Sequence, residues 1–262
     1  MRVDFTSITS WPDRPDELHG LTEQEALIIH EARVSNPENQ MNFETGVRLM
    51  KYLIRSKHWS PFDLVDMTVK IETTRAVAQQ ILRHRSFCFQ EFSQRYSNVE
   101  KQEGLPYEIP VLRLKAEKNR QSSEHPIALP SWQQEVLDEA LINDFEIYNH
   151  LIEAHNVATE CARFYLPLCT KTTMYMKGSV RSWIHYLELR TDPHTQKEHR
   201  DVAEAIKAIF AEKFPAIHHA GLEMRLKEKF DAQNAAVAAM LQHSMPELFT
   251  QMLQKVVEEE QS

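Results

Sequence analysis

The sequence predicts an α+β protein, with a mixed sheet flanked by helices and with long helices packing subunits together. Residues 65–72, "VDMTVKIE", alternate apolar and polar side chains, as in a strand with one solvated face. Apolar residues recur at helical spacing before and after this strand. Residues 131–166 contain neither Gly nor Pro, which favours long helices.

Length and charge limit the organisation and the partners. The 262 residues suffice for one large domain, and we expect a single domain over 1–262 with a core over about 20–225 and a helical C-terminal extension over about 226–262. The formal charge of −8 comes from 30 Lys plus Arg and 38 Asp plus Glu. A surface built to coat nucleic acid would be basic, so we expect no nucleic-acid partner and only local anion binding.

Cysteine content and the absence of apolar segments predict a cytoplasmic protein with no membrane partner. Cys88, Cys161 and Cys169 have no paired metal-ligand spacing and are odd in number, which fits a reducing compartment. No segment resembles a signal core or the roughly 20 apolar residues of a membrane span. With only five glycines, the chain contains neither the dinucleotide fingerprint nor the phosphate loop, so side chains and helix ends must hold any nucleotide phosphates.

Helix caps are recognisable in the N-terminal half. Thr22 stands three residues before Glu25, a capping-box pattern that begins a helix to about Val34. Thr74 can cap a helix from about Arg75 that carries a basic cluster at its C-terminal end, where cations suit the helix dipole. A further helix is predicted over about 42–57.

The C-terminal half predicts more helix than strand. Because one helix over 131–166 would be unusually long, we expect two helices with a break near Asn149. Ser179 can cap the helix "VRSWIHYLELR" that follows it. The other predicted elements are strand-like residues 107–114, a mobile connection over 115–124, a strand over 170–179, a helix over 196–214 and a helical tail from 227.

The basic cluster carries residues suited to a nucleotide. Gln80 lies three residues before Arg83 and four before His84, so the three share one face of a helix. Arginine fits phosphate or carboxylate, and a glutamine amide can bind the edge of a base. Taken alone, such a cluster is more often a solvated helix end, or one paired with local acids.

Glu91, Ser93 and Arg95 follow the cluster at a spacing of two. If this segment is extended, an acceptor, a hydroxyl and a guanidinium point the same way. These groups would then converge on one small region beside the basic cluster.

The ordered run "Q-x-x-RHR-x5-E-x-S-x-RY", from Gln80 to Tyr96, resembles the motif of the flavin-dependent thymidylate synthases. "HWSPF" before the strand, together with "ARFYLP" and "GSVRSWIHYLELR" later in the chain, extends the resemblance over most of residues 20–215. The resemblance implies the fold of the thymidylate synthase-complementing proteins. The first twenty residues and the tail after about Lys227 do not contribute to it.

The resemblance implies reductive methylation of dUMP to dTMP. The methylene comes from 5,10-methylenetetrahydrofolate, which becomes tetrahydrofolate, and NADPH supplies reducing equivalents through FAD. Members of the family are homotetramers whose active sites are shared between subunits.

The resemblance also implies two overlapping sets of site residues, because flavin and substrate stack. Ser179 and His185 stand where some relatives have asparagine, so the polar contacts of these two residues with flavin can differ. The implied FAD set is Ser60, Arg83, His84, Arg85, Glu91, Ser179, Arg181 and His185, with His58 as a further candidate. The implied dUMP set is Gln80, Arg83, Glu91, Ser93, Gln94, Arg95, Arg163 and Arg190.

The helix over 180–190 can serve both sets. Arg181, His185 and Glu188 share one flank of it, and Arg190 falls near the other flank, beside Trp183. An arginine against the O2 and N3 edge of uracil would stabilise the negative charge that develops when C5 attacks a carbon donor. Arg190 is predicted to be this catalytic residue. The apolar stripe of this helix is predicted to be Val180, Trp183, Ile184 and Leu187.

Three other chemistries receive less support. Cys88 lies inside the motif, but no base is assigned beside it and small buried cysteines are common, so we expect no cysteine nucleophile. No metal site is predicted, because His150 and His155, like His194 and His199, stand five apart and diverge on a helix. Phe87, Phe89 and Phe92 could stack bases but more often pack in a core or subunit interface.

Two alternative functions remain open from the sequence. A related flavin- and folate-dependent nucleotide hydroxymethylase would use similar anion-binding residues. A non-catalytic RNA-binding protein would use the same basic cluster with a steep salt dependence.

Overall fold

A computed structural model describes residues 1–102, 104–117, 119, 122–221 and 235 of the chain. Within these residues four 3₁₀ turns connect longer elements: Pro37–Asn39, Ser60–Asp63, Val99–Lys101 and Arg163–Tyr165. The strands are β1 (Arg2–Ile8), β2 (Asp66–Thr74), β3 (Cys88–Glu91), β4 (Arg113–Lys115), β5 (Ser123–Pro126) and β6 (Lys171–Ser179). The helices are α1 (Glu23–Ala32), α2 (Gly46–Arg55), α3 (Arg75–Ile81), α4 (Ser131–Glu153), α5 (Thr159–Ala162), α6 (Val180–Arg190) and α7 (Lys197–Lys213).

The central sheet has four strands in the order β1-β2-β6-β3. All three pairings are antiparallel, and β4 and β5 form a separate antiparallel pair. The predicted α+β class is therefore confirmed, but this sheet is antiparallel rather than mixed, because each neighbouring strand runs back in the opposite direction. The longest pairing joins β2 to β6, from Asp66 opposite Ser179 to Thr74 opposite Lys171.

Alternation along the two central strands positions the core. Met67, Val69 and Ile71 of β2 are fully buried, as are Met174 and Met176 of β6. The two strands predicted from "VDMTVKIE" and "TKTTMYMKGS" are thus confirmed. The buried face packs on α1, α2, α3, α6 and α7, which together form the larger hydrophobic core.

The predicted capping box of α1 is present. The Thr22 hydroxyl accepts a hydrogen bond from the Glu25 N–H over 3.3 Å, and Oε2 of Glu25 accepts one from the Thr22 N–H over 3.1 Å. Oε1 of this buried carboxylate accepts further bonds from the N–H groups of Ala216 and Ile217. Glu25 therefore joins the start of α1 to the helical residues that follow α7.

The predicted helix break near Asn149 is wrong. Helix α4 continues to Glu153 and the chain then turns before α5. The Asn149 side chain does not compete with the helix backbone, because it accepts from Asn98 and donates to Glu100 over 2.6 Å.

Other differences from the sequence predictions occur near the termini and in the connection before α4. Strand β1 lies within the first twenty residues, for which no element was predicted. Strands β4 and β5 occupy both ends of the predicted mobile connection. The predicted tail from residue 227 lies outside the described residues, apart from residue 235.

Helix α4 is the least covered long element. Of its 23 residues only Phe145 and Tyr148 are buried, and they belong to a smaller core with Val99 and Ala162. Trp132, Val136 and several other apolar side chains of this helix are exposed. No helix within the described part of the chain is both long and apolar enough to cross a membrane.

Candidate active site

Arg190 and His84 meet where α6 ends and α3 has just ended. The Arg190 Nε donates to Nε2 of His84 over 2.9 Å. Burial, together with the Arg190 charge, lowers the pKa of His84 to about 4, so the imidazole is neutral and accepts this bond. Among the described residues no acceptor is bonded to the two Nη atoms of Arg190. A cavity of 470 Å³, lined by Arg190, His185 and Thr195, lies beside them.

Gln80 belongs to a partly buried network of hydrogen bonds that the sequence did not predict. Nδ1 of His199 lies 3.3 Å from Oε1 of Gln80, and Nε2 of His199 lies 3.1 Å from the Tyr186 hydroxyl. Burial and the charges of Arg190 and His84 lower the pKa of His199 to about 3, and burial raises the pKa of Tyr186. Both groups are therefore neutral. A histidine on the apolar face of α7 gave no sequence signal of its own.

Ser179 and Arg181 form a second group at the start of α6. The Ser179 hydroxyl accepts from the Ser182 N–H, which confirms the predicted cap. It also donates to Asp63 over 2.9 Å, and Arg181 donates to the other oxygen of that carboxylate over 2.8 Å. Asp63 was missed, although it stands within the 3₁₀ turn that begins at Ser60.

The remaining flavin candidates are His58 and Ser60, which lie in the "HWSPF" segment, and His185, which lies on α6. His58 is exposed and packs edge-on against Tyr52, with ring centroids 5.7 Å apart. The His185 ring packs against Trp59 at 5.0 Å. Through Trp59, the segment that carries His58 and Ser60 contacts α6.

The buried stripe of α6 differs at one position from the prediction. Val180, Trp183 and Leu187 are buried as expected, but Tyr186 is buried in place of Ile184, which is only partly covered. The Trp183 indole donates to the Met67 carbonyl over 3.0 Å, which fixes α6 on the sheet.

Glu91 lies at the opposite end of β6 from Ser179. It forms an ion pair with Arg75, and the Thr172 hydroxyl donates to the same carboxylate over 2.8 Å. Thr172 and Ser179 are seven residues apart on one strand, which separates them by about 23 Å. The structure therefore does not bring Glu91 and Ser179 together. Arg75, at the start of α3, was missed.

The segment after Glu91 turns instead of extending. The N–H groups of Tyr96 and Ser97 both donate to the Ser93 carbonyl, so the chain turns after Ser93 and the extended geometry that would align Arg95 with Glu91 and Ser93 is absent. Arg95 pairs with Glu160 over 3.0 Å on the surface.

Two further predicted substrate residues lie near this turn. Gln94 is buried, and its Nε2 has no hydrogen-bond partner among the described residues. The Arg163 guanidinium lies over the Phe164 ring at 5.7 Å.

Arg83 and Arg85 follow α3 and are both exposed. Neither forms an ion pair with another residue that the structure describes, so both guanidinium groups are available to an anion. The Ser182 hydroxyl donates to the Ser86 carbonyl over 3.2 Å and fixes this segment against α6. The segment that carries Arg83 and Arg85 therefore lies beside the start of α6.

The apolar residues of the motif serve the core rather than a stacking surface. Phe87 is buried against Trp183, with ring centroids 4.7 Å apart, and Phe89 packs on the same core. Phe92 packs on the smaller core of α4. Cys88 is exposed and free on β3.

Other features lie away from these groups. Within the described residues no cluster of three or more His, Cys, Asp or Glu could hold a metal ion. The His150 and His155 rings do not diverge, since their centroids are 4.9 Å apart; His155 lies beyond the end of α4. A cavity of 770 Å³ between α1 and α2, lined by Arg33, Arg48 and Arg55, includes none of the predicted site residues.

Fold and site together define an α+β protein with cationic groups at both ends of an antiparallel sheet. The family described as "Thymidylate synthase complementing protein" matches residues 17–216. The chain is 47% identical over 202 residues to the probable flavin-dependent thymidylate synthase of Paramecium bursaria Chlorella virus 1, covering 76% of this chain and 91% of that protein. It is also 47% identical over 195 residues to the flavin-dependent thymidylate synthase of Synechocystis, covering 74% and 87%. This chain belongs to the thymidylate synthase complementing protein family.

A solved structure agrees with this assignment. The UMP/dUMP methylase PolB from Streptomyces cacaoi, bound with 5-Br dUMP, superimposes with a TM-score of 0.68 at 26% identity. The match covers 84% of this chain and 93% of that one. The motif that suggested the family in the sequence is therefore supported by both kinds of comparison.

Proposed function

We propose that this protein is a flavin-dependent thymidylate synthase that converts dUMP to dTMP. Membership of the family and the names of its relatives support this function. The observation that carries it is Arg190, whose Nε is held by a neutral His84 while its Nη atoms remain open beside a cavity. A guanidinium fixed in this way can bind the edge of a planar anionic ring.

The chain has groups suited to FAD. Arg83, Arg85 and Arg181 offer cations for phosphate oxygens, and Ser179 caps the N-terminus of α6, where N–H groups favour anions. We assign to the flavin the set Ser60, Arg83, His84, Arg85, Glu91, Ser179, Arg181 and His185, with His58. FAD, when bound, supplies the redox chemistry with electrons from NADPH.

Arg190 is the proposed catalytic residue for dUMP. Its positive charge against O2 and N3 stabilises the charge that develops on the ring when C5 becomes nucleophilic. Methylenetetrahydrofolate supplies the carbon, and no cysteine adduct is needed. Gln80, Arg83, Glu91, Ser93, Gln94, Arg95 and Arg163 complete the proposed dUMP set.

A homotetramer with shared sites explains why one chain separates its site residues. Glu91 and Ser179 lie at opposite ends of β6, and a second subunit can bring an equivalent of one beside the other. The exposed apolar face of α4 supplies a surface that oligomerisation would cover. A cytoplasmic location remains a prediction from the cysteine content.

The visible spectrum of the freshly purified protein tests this function. We expect a yellow protein with a flavin spectrum that bleaches on anaerobic addition of NADPH, with and without dUMP, and a tetramer by light scattering. A colourless protein that binds neither FAD nor dUMP would overturn the proposal. A colourless protein that binds RNA with a steep salt dependence would favour the non-catalytic alternative.

A further inference from the structure

The hydrogen bonds around His199 have a defined direction. Among the described residues the buried Tyr186 hydroxyl has no partner other than Nε2 of His199. Donating to that nitrogen satisfies the hydroxyl proton, whereas accepting from it would leave the proton buried and unpaired. A neutral imidazole has one donor and one acceptor, so Nδ1 carries the proton and donates to Oε1 of Gln80.

A second series of hydrogen bonds, which runs through Glu198 and Gln196, gives the Gln80 amide the same orientation. Oε1 of Glu198 accepts from Arg113 over 2.6 Å, and Oε2 accepts from Nε2 of Gln196 over 2.9 Å. Because a carboxylate only accepts, Gln196 must turn its own Oε1 toward Gln80, whose Nε2 donates to it over 2.6 Å. The bond from His199 holds one end of the Gln80 amide, and the bond to Gln196 holds the other end. Both series of hydrogen bonds therefore assign the same atom of the amide as nitrogen.

We propose that His199 is a positioning residue that makes Gln80 select uracil over cytosine. With Oε1 accepting from His199 and one N–H donating to Gln196, the donor that Gln80 keeps free for a ligand is its second N–H. Uracil has an acceptor, O4, where cytosine has an amino donor, so a fixed donor favours uracil. This inference rests on the proposed function, in which Gln80 contacts the dUMP base.

The bond from His199 fixes the orientation of the Gln80 amide more strongly than the bond to Gln196 does. His199 is fully buried, whereas Gln196 is exposed and its bond to Gln80 competes with water. Without the imidazole, the Gln80 amide could turn and present its oxygen to the amino group of cytosine. Loss of His199 should therefore weaken discrimination more than it weakens nucleotide binding in general.

Binding of dUMP and dCMP by calorimetry tests the proposal. The flavin-loaded wild-type protein should bind dUMP in preference to dCMP. In His199→Leu, which lacks the donor, and in Tyr186→Phe, which frees the imidazole to change tautomer, the ratio of the two Kd values should fall about tenfold. His199→Gln, whose amide can donate to Gln80, should recover part of the ratio. Phe210→Leu, a buried change elsewhere in α7, is the matched control and should leave the ratio unchanged.

Wild-type discrimination that persists in His199→Leu and Tyr186→Phe would overturn the proposal. If His199→Leu does not fold, the milder Tyr186→Phe decides. ¹⁵N chemical shifts of the His199 imidazole supply a test without variants, because a proton on Nε2 instead of Nδ1 would also contradict the proposed orientation. Failure of wild type to bind either nucleotide would instead reject the proposed function, and the ¹⁵N shifts would then decide the orientation of Gln80 alone.

Discussion

The Arg190 guanidinium donates from Nε to Nε2 of His84 over 2.9 Å, so a neutral histidine orients the cation. The pKa of His84, lowered to about 4, makes this imidazole an acceptor at neutral pH. The Arg190 charge therefore remains available to a ligand instead of being neutralised by a carboxylate. This arrangement suits the stabilisation of negative charge on a bound ring.

Arg190→Ala should reduce dTMP formation by at least about a hundredfold, because the charge that stabilises the activated ring is lost. Flavin binding should persist, and Arg190→Lys should recover only a small part of the activity because lysine lacks the planar fork. Steady-state kinetics with saturating dUMP and the flavin absorbance measure both quantities. Arg2→Ala, an exposed change on β1, is the control; near-normal activity in Arg190→Ala would reject the catalytic assignment.

Asp63→Asn should weaken flavin binding, because Ser179 and Arg181 both bond to this carboxylate. We expect an increase of about tenfold in the flavin Kd, measured by titration of the apoprotein. Asp66→Asn is the matched control, since Asp66 pairs with Lys177 at the same end of the sheet and contacts no predicted site residue through its side chain. Equal flavin affinity in the two variants would contradict a role for Asp63.

Stability should fall as the pH is lowered from about 6.5, because the folded protein keeps two histidines neutral. The pKa of His84 is lowered to about 4 and that of His199 to about 3, so the unfolded chain binds more protons in this range. Above its unfolded pKa each neutral histidine contributes fully to the stability, and this contribution is lost as the pH falls toward the folded pKa. Between the two pKa values the free energy of unfolding changes by about 1.4 kcal/mol per pH unit for each histidine. Urea unfolding between pH 4.5 and 7 measures this slope. His199→Gln should flatten it, and an unchanged slope would show that His199 is not buried as a neutral group.

Arg75→Ala should lower the free energy of unfolding by about 2 kcal/mol, because the Glu91 carboxylate would lose its cation in a largely buried setting. Adding Glu91→Ala to this variant should recover part of the loss, as the unpaired charge is then removed. Urea unfolding of the two single variants and the double variant measures the coupling. Fully additive losses would mean that the pair does not stabilise the fold.

Cys88→Ala should keep near-normal dTMP formation, because the thiol is exposed on β3 and the proposed mechanism uses no cysteine adduct. The turnover number at saturating dUMP is the measurement. A variant that folds and binds both ligands but forms no dTMP would support covalent catalysis instead.

Patterns among neighbouring residues predicted much of the fold. The features that the sequence did not predict depend on contacts between residues far apart in the chain. The Thr22–Glu25 capping box and the alternation of β2 depend on neighbouring residues, which is why the sequence showed them. Helix α4 continues through Asn149, whose side chain bonds to Glu100, 49 residues away in the chain. No local pattern records such a bond.

The predicted site was incomplete for the same reason. The basic motif identified His84 and the segment "GSVRSWIHYLELR" identified Arg190, but the residues that orient predicted ligand groups, Asp63, Arg75 and His199, come from other parts of the chain. Each looks like an ordinary surface acid, helix-start cation or core histidine in the sequence. Only the folded chain shows which predicted residue each of them holds.

Mass spectrometry of the nucleotide product tests the central claim most directly. Wild-type protein given dUMP, methylenetetrahydrofolate and NADPH should yield a nucleotide heavier than dUMP by the replacement of one hydrogen with a methyl group, and Arg190→Ala should yield almost none. A product carrying a hydroxymethyl group, or recovery of dUMP alone from flavin-loaded protein, would contradict the account.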